Sequence, residues 1–211
     1  MDYLVTMTTH VPAGTTDDAV DDIRRHEGAR AAELATEGHL LRLWRPPLQP
    51  GEWRTLGLFR ADDELQLEKA LASMPLRVWR TDEVTPLQPH PNDPPSSRTD
   101  PNPTAAEFLT TFHLAVPDGI PAATVDDTKA REKARSRELG AAGKLLRLWT
   151  LPPAPDGRSP ALGLWHVVDD AEMQAILDSL PLSPWMKVET TPLTRHPNDP
   201  AIGGGRPVHL A

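Results

Sequence analysis

Glu27 and Glu132 are the residues of this chain whose type and placement best suit moving a proton. Glu27 stands two helical turns after Val20 and two before Leu34, on a stripe completed by Ile23 and Ala31. That spacing marks a helix face packed on a sheet. Glu132 takes the same place among Val125, Thr128 and Leu139. A carboxylate held there is desolvated, which lifts its pKa toward the range of a working general base. A structural role is equally open: Glu27 could pair with Arg24 or Arg30, and Glu132 with Lys129 or Arg135. A second constellation is Arg42 beside Trp44, with Arg147 beside Trp149. A guanidinium grips a carboxylate through two parallel hydrogen bonds while an indole packs on the body of a planar ligand. These four are candidate substrate-binding residues, the alternative being arginines stacked on tryptophan at an assembly interface.

Other chemistries find little support. The eight histidines show no paired ligand spacing, so no metal site is expected. Gly203-Gly204-Gly205 lacks the Lys-Ser/Thr that would make a phosphate loop, and no serine–histidine nucleophile pattern is recognisable. No cofactor is expected.

The elements that must hold these residues occur twice. Leu40-Leu41-Arg42-Leu43-Trp44 returns as Leu145-Leu146-Arg147-Leu148-Trp149. At the same offset Val11-Pro12 becomes Val116-Pro117, and Glu27 becomes Glu132. After one inserted residue, Gly57-Leu58 matches Gly163-Leu164, and His90-Pro91-Asn92-Asp93-Pro94 matches His196-Pro197-Asn198-Asp199-Pro200. A repeat of this size is a domain and not a solenoid unit. The expected division is a first domain at 1–94, a Pro-rich linker at 95–105, a second domain at 106–200 and a flexible tail at 201–211.

Within the first repeat the pattern gives a strand over Tyr3 to Thr8 and a helix capped at Thr15 or Thr16 and stopped at Gly38. Strands over His39 to Arg45 and Trp53 to Arg60 follow, with Leu41 and Leu43 sharing one face of the former. A helix capped by Asp62 or Asp63 ends at Pro75, and a strand runs from Val78 to Leu87. The second repeat gives Phe108 to Val116, Asp126 to Ala142, Lys144 to Thr150, Ala161 to Val167, Ala171 to Ser179 and Trp185 to Leu193. The order β-α-β-β-α-β predicts an α+β fold of two tandem ferredoxin-like domains. Both helices of such a unit lie on one sheet face, so the other face needs cover from another copy. Dimeric α+β-barrel-type packing and a homo-oligomer are expected, the two halves pairing with each other or with halves of other chains.

The composition, with 38% hydrophobic and 25% charged residues, is that of a globular chain, and no apolar run is long enough for a bilayer. Without cysteine there is neither a disulfide framework nor thiolate chemistry, in keeping with a cytoplasmic chain. The formal charge of −8 argues against a nucleic-acid surface, while a local arginine could still recruit a small anion.

Each half resembles muconolactone Δ-isomerase. The resemblance is carried by the opening strand with Pro12 or Pro117, the helix glutamate, the Gly-x-x-x-x-Leu-Trp block, Leu180 to Met186 and the closing His-Pro. It implies a cofactor-free isomerase of aromatic-compound catabolism in the β-ketoadipate pathway, shifting a proton in muconolactone or a related unsaturated lactone. It also implies that Glu27 and Glu132 are the proton-shuttling carboxylates. The alternative is a non-catalytic small-ligand-binding or oxygenase-like α+β-barrel protein. The repeats depart from the family pattern differently. The first keeps Leu43-Trp44-Arg45 but has His26-Glu27-Gly28 and a divergent Met74 to Arg80; the second keeps Lys133 and Leu180 to Met186 but ends its strand at Thr150. On these grounds the second repeat is expected to be the active half.

Overall fold

The computed structural model describes residues 1–94 and 105–202. Most of the linker expected at 95–105, and the tail from 203 onward, lie outside the described residues. The first repeat contains β1 (Asp2–Thr9), α1 (Asp17–Thr36), β2 (Leu40–Arg45), β3 (Arg54–Arg60), α2 (Glu64–Ala72) and β4 (Arg80–Pro89). The second repeats the order as β5 (Ala106–Leu114), α3 (Ala122–Ala141), β6 (Leu145–Thr150), β7 (Ala161–Val167), α4 (Asp170–Asp178) and β8 (Met186–Arg195). All strand pairs are antiparallel, running β4-β1-β3-β2 in the first repeat and β8-β5-β7-β6 in the second. This is the expected α+β arrangement.

Local chemistry accounts for the starts of most helices. The Thr16 hydroxyl accepts from the Ala19 N–H at 3.3 Å, and Asp17 and Asp18 fill the first turn of α1. Asp63 and Asp169 cap α2 and α4 by accepting from the N–H groups of Gln66 and Glu172. The α3 helix begins earlier than its acidic residues suggest. Pro121, with φ of −59°, stands at its N-cap without a side-chain bond, and its ring presets the entry.

In each unit the two helices cover one sheet face. Ala31 and Leu34 of α1 and Leu67 and Leu71 of α2 pack with Val5, Met7, Leu40, Leu43 and Phe59. Leu139 of α3 and Met173, Ile176 and Leu177 of α4 pack with Phe108, Phe112, Leu145, Leu148 and Trp165. The alternation expected in β2 is broken by a bulge between Leu40 and Arg42, repeated in β6 between Leu145 and Arg147. An extra residue there turns Leu40 and Leu43 to the helix side and leaves Leu41 out of that cluster. The last strand of each repeat also starts later than expected. Residues Pro75–Trp79 and Ser183–Trp185 form 3₁₀ turns before β4 and β8. Proline at the start of each turn supplies no N–H for a sheet ladder.

The compact units and the sequence repeats differ at their edges. One unit comprises Met1–Leu87 with residues 194–202, and the other comprises Gln88–Leu193. Each repeat thus gives its closing segment to the other unit. In the first unit Thr194 and Arg195 pair with Arg45 and Trp44 of β2, and the His196 N–H donates to the Leu43 carbonyl at 3.1 Å. In the second, Gln88 and Pro89 pair with Thr150 and Trp149 of β6, and the His90 N–H donates to the Leu148 carbonyl at 3.2 Å. No described helix is long and apolar enough to cross a membrane.

Candidate active site

Glu27 is buried on α1 with 8% of its surface exposed. Its Oε2 accepts from the Leu76 N–H of the first 3₁₀ turn at 2.8 Å, and its Oε1 accepts from Arg80 Nη1 at 3.0 Å. The position of this turn therefore serves the carboxylate. Arg80, itself buried, also donates through Nε and Nη2 to Asp82 at 2.6 and 3.0 Å. Asp82 in turn pairs with Arg77, which reaches Glu68 at 2.9 Å. Burial pushes the Glu27 carboxyl above the usual range, while the Leu76 N–H and the Arg80 guanidinium pull it back and Asp82 pushes it up. The result is a carboxylate held in one orientation by two donors, with its proton affinity raised.

Glu27 faces a cavity of about 470 Å³, whose cationic lining consists of Arg24, Arg25, Arg45 and Arg80. The Arg24 guanidinium lies 4.4 Å from the centre of the Trp53 ring, which also lines the cavity. His196 and Asn198 enter from the exchanged closing segment. Burial, and then the charge of Arg45, lower the His196 pKa to about 4, so the ring is neutral near pH 7. Its Nδ1 accepts from the Asn198 N–H at 3.1 Å, which leaves the ring proton on Nε2. Within one cavity there are thus a base, four guanidinium groups and a neutral imidazole donor.

The second unit holds the corresponding cavity, but it is smaller, at about 140 Å³. Glu132 lines it, and its Oε2 accepts from the Leu182 N–H at 2.9 Å. No guanidinium joins it, because Met186 stands where the first repeat has Arg80. Burial raises the Glu132 pKa, and only the Leu182 N–H opposes it. A carboxyl whose folded pKa is raised favours folding most below its unfolded value. That contribution is lost as pH rises through the folded value. Glu132→Gln remains neutral and can still accept from Leu182. It should therefore gain stability relative to the parent as pH is raised from about 4 to 7, as read from urea unfolding at both ends. An equal difference at the two pH values would show that Glu132 does not titrate in this way.

The two repeats match the description "Muconolactone delta-isomerase" over residues 1–93 and 106–199. The chain belongs to the muconolactone delta-isomerase family. Muconolactone Delta-isomerase 1 of Acinetobacter lwoffii is 41% identical over 91 residues, covering 43% of this chain and 91% of that protein. The muconolactone Delta-isomerase of Cupriavidus pinatubonensis is 35% identical over 91 residues, covering 43% and 95%. Solved structures match the whole chain at the level of fold. A heme-binding protein of Thermus thermophilus has a TM-score of 0.56 at 12% identity, covering 93% of this chain and 92% of that one. A chlorite dismutase from Candidatus Nitrospira defluvii has a TM-score of 0.53 at 6% identity, covering 92% and 91%.

In this muconolactone isomerase family member, Glu27 and Glu132 each line a cavity, whereas Arg42, Trp44, Arg147 and Trp149 line neither. Arg42 stacks on Trp44 at 4.8 Å and donates to Asp199 through Nε at 3.1 Å and Nη2 at 2.9 Å. Asp199 also accepts from the Leu43 N–H at 3.1 Å. Arg147 stacks on Trp149 at 5.1 Å and donates to Asp93 at 3.1 Å, and Asp93 accepts from the Leu148 N–H at 2.6 Å. The carboxylate these arginines bind is a protein one, at the end of each exchanged segment. The pairings suggested for the glutamates also differ. Arg30 goes to Ser73, Glu33 and Glu37, and Arg135 goes to Ser179 and Glu138. Arg80 and His196 were not singled out from sequence. The available signal for Arg80 was an arginine in the first repeat where the second has Met186.

Proposed function

We propose that the first unit's cavity isomerises muconolactone, or a closely related unsaturated lactone bearing a carboxylate, in the cytoplasm and without a cofactor. The observation that carries this reading is the buried Glu27 carboxylate in a cavity lined by four arginines. In such a lactone the ring C–H conjugated through the C=C bond to the carbonyl is acidic. Glu27 takes that proton, and the electron pair of the breaking C–H bond forms a dienolate. The His196 Nε2–H faces the negative charge that develops on oxygen, where a placed donor is most effective. Glu27 then returns the proton two atoms away, and the C=C bond has moved with no net change in composition. In muconolactone the carboxylate ends the short arm carried by the carbon that loses its proton, and Arg45 with the cavity's other arginines holds it close to Glu27.

This reading moves the principal chemistry to the first repeat, although the family-like block at Leu180 to Met186 pointed to the second. The reason is charge: only the first cavity offers cations to a carboxylated ligand. It retains the α+β-barrel packing and the homo-oligomeric assembly expected from the family. Arg45→Gln tests the anion anchor. It should raise KM for muconolactone by about 10–100-fold, the loss of one charge-assisted hydrogen bond, with less effect on kcat. An unchanged KM would place the substrate carboxylate elsewhere. Absence of turnover by the parent chain would favour the ligand-binding alternative.

A further inference from the structure

The two cavities occupy the same place in their units, so their linings can be compared position by position. Arg24, Arg25, Arg45 and Arg80 of the first correspond in sequence to Lys129, Ala130, Thr150 and Met186 of the second, and of these only Met186 lines the second cavity. Trp53 and Thr55 become Ser159 and Ala161, while Met7 becomes Phe112. Every cation has gone from the wall, whereas the glutamate, the histidine and the asparagine remain as Glu132, His90 and Asn92. Phe112 and Trp165 meet edge to face, at 6.4 Å and 65°, on one side of the space. The indole of Trp165 spends its N–H on Thr110 at 2.7 Å, so this wall presents hydrocarbon. His90 keeps a donor available, because its Nδ1 accepts from the Asn92 N–H at 3.1 Å and the ring proton rests on Nε2.

We infer that the second unit's cavity is a binding site for a small uncharged ring, of the class of an unsaturated lactone without a carboxylate. Its volume of about 140 Å³ is close to that of the engineered apolar cavity of roughly 150 Å³ that admits benzene. One five- or six-membered ring fills it. The aromatic edge packs on the ring, and His90 and Asn92 offer hydrogen-bond donors to a carbonyl. A carboxylated ligand would give up its water there with no cation in return and a glutamate as neighbour, which is a built-in reason for its rejection. This assignment rests on the reading of the first cavity only for the contrast in charge; the neutral site stands on the second cavity's own lining.

The test uses the intact chain and two probes, 2(5H)-furanone as the neutral ring and muconolactone as the carboxylated one. Trp53 lines only the first cavity and Trp165 only the second, so their indole N–H signals in ¹H–¹⁵N spectra report each site separately. The furanone should shift the Trp165 signal and muconolactone the Trp53 signal. Ser136→Leu, which fills the second cavity from α3, should abolish the furanone response at Trp165. Ala161→Leu does the same from β7, and the position of the Trp165 peak without ligand shows whether either variant keeps its fold. Thr150→Arg/Met186→Arg restores the counterparts of Arg45 and Arg80 and should make muconolactone shift Trp165. A furanone response confined to Trp53, or absent, overturns the inference, as does a parent chain in which muconolactone shifts both signals. A furanone response at Trp165 in a chain that never isomerises muconolactone would sink the proposed activity and leave this site standing.

Discussion

Glu27→Gln should lower muconolactone turnover by about 10²–10⁴-fold, the usual cost of losing a positioned general base, and leave the chain folded. Glutamine fits the same space and can still accept from the Leu76 N–H, but it cannot take a proton. Glu132→Gln should cost the same substrate far less, since its cavity has no cationic lining. The pH profile gives an independent reading. The base works ionised, so kcat/KM should fall as pH drops through the Glu27 pKa, which burial places above the ordinary glutamate range. Arg80 pulls that value down, and Arg80→Met should move the acid limb to higher pH. Equal losses in the two glutamine variants would assign the chemistry to both halves. No loss in either would remove the carboxylate from the mechanism.

The largest effect on stability is expected at Asp199. Its side chain is fully buried and pairs with Arg42, whose side chain is 2% exposed. Asp199→Ala leaves that guanidinium without its carboxylate in a low-dielectric setting. Breaking a buried pair in this way typically costs about 3–5 kcal/mol. The Leu43 N–H loses its acceptor in the same step. Asp93→Ala should cost less, because the Asp93 side chain is 16% exposed and water can reach part of what it leaves behind. Equilibrium unfolding in urea ranks the two variants. A milder effect at Asp199 than at Asp93 would mean that the burial of the pair is not what gives it weight.

Much of this fold was legible in the sequence because its elements announce themselves locally. Thr16, Asp63 and the stripe from Val20 to Leu34 act within one helix, and the repeat doubled each signal. Glu27 was legible for the same reason: an acid on an apolar stripe needs only the helix period to be noticed. Its partner was not. Arg80 opens β4, far from α1 in sequence, and helical neighbours such as Arg24 and Arg30 fit the spacing rule better. The bulge at Leu41 escaped because alternation is assumed until a structure breaks it. The closing His-Pro-Asn-Asp-Pro segments were visible only as the matching ends of the two repeats, and that match says nothing about which unit each aspartate enters. Arg42 and Trp44 were read as a grip on a substrate carboxylate, with a stacked pair as the alternative; in the structure the two stack, and the carboxylate Arg42 holds is Asp199.

The exchange of closing segments also decides how this chain could be taken apart. A fragment cut at the repeat boundary would keep a histidine and an aspartate with no receptor strand of their own, and would present a receptor strand with no arm to fill it. Two such fragments, supplied together, hold the complementary pieces of both units; one fragment alone can complete itself only by trading arms with its own kind. The duplicated gene product is in this sense a covalently tethered swap.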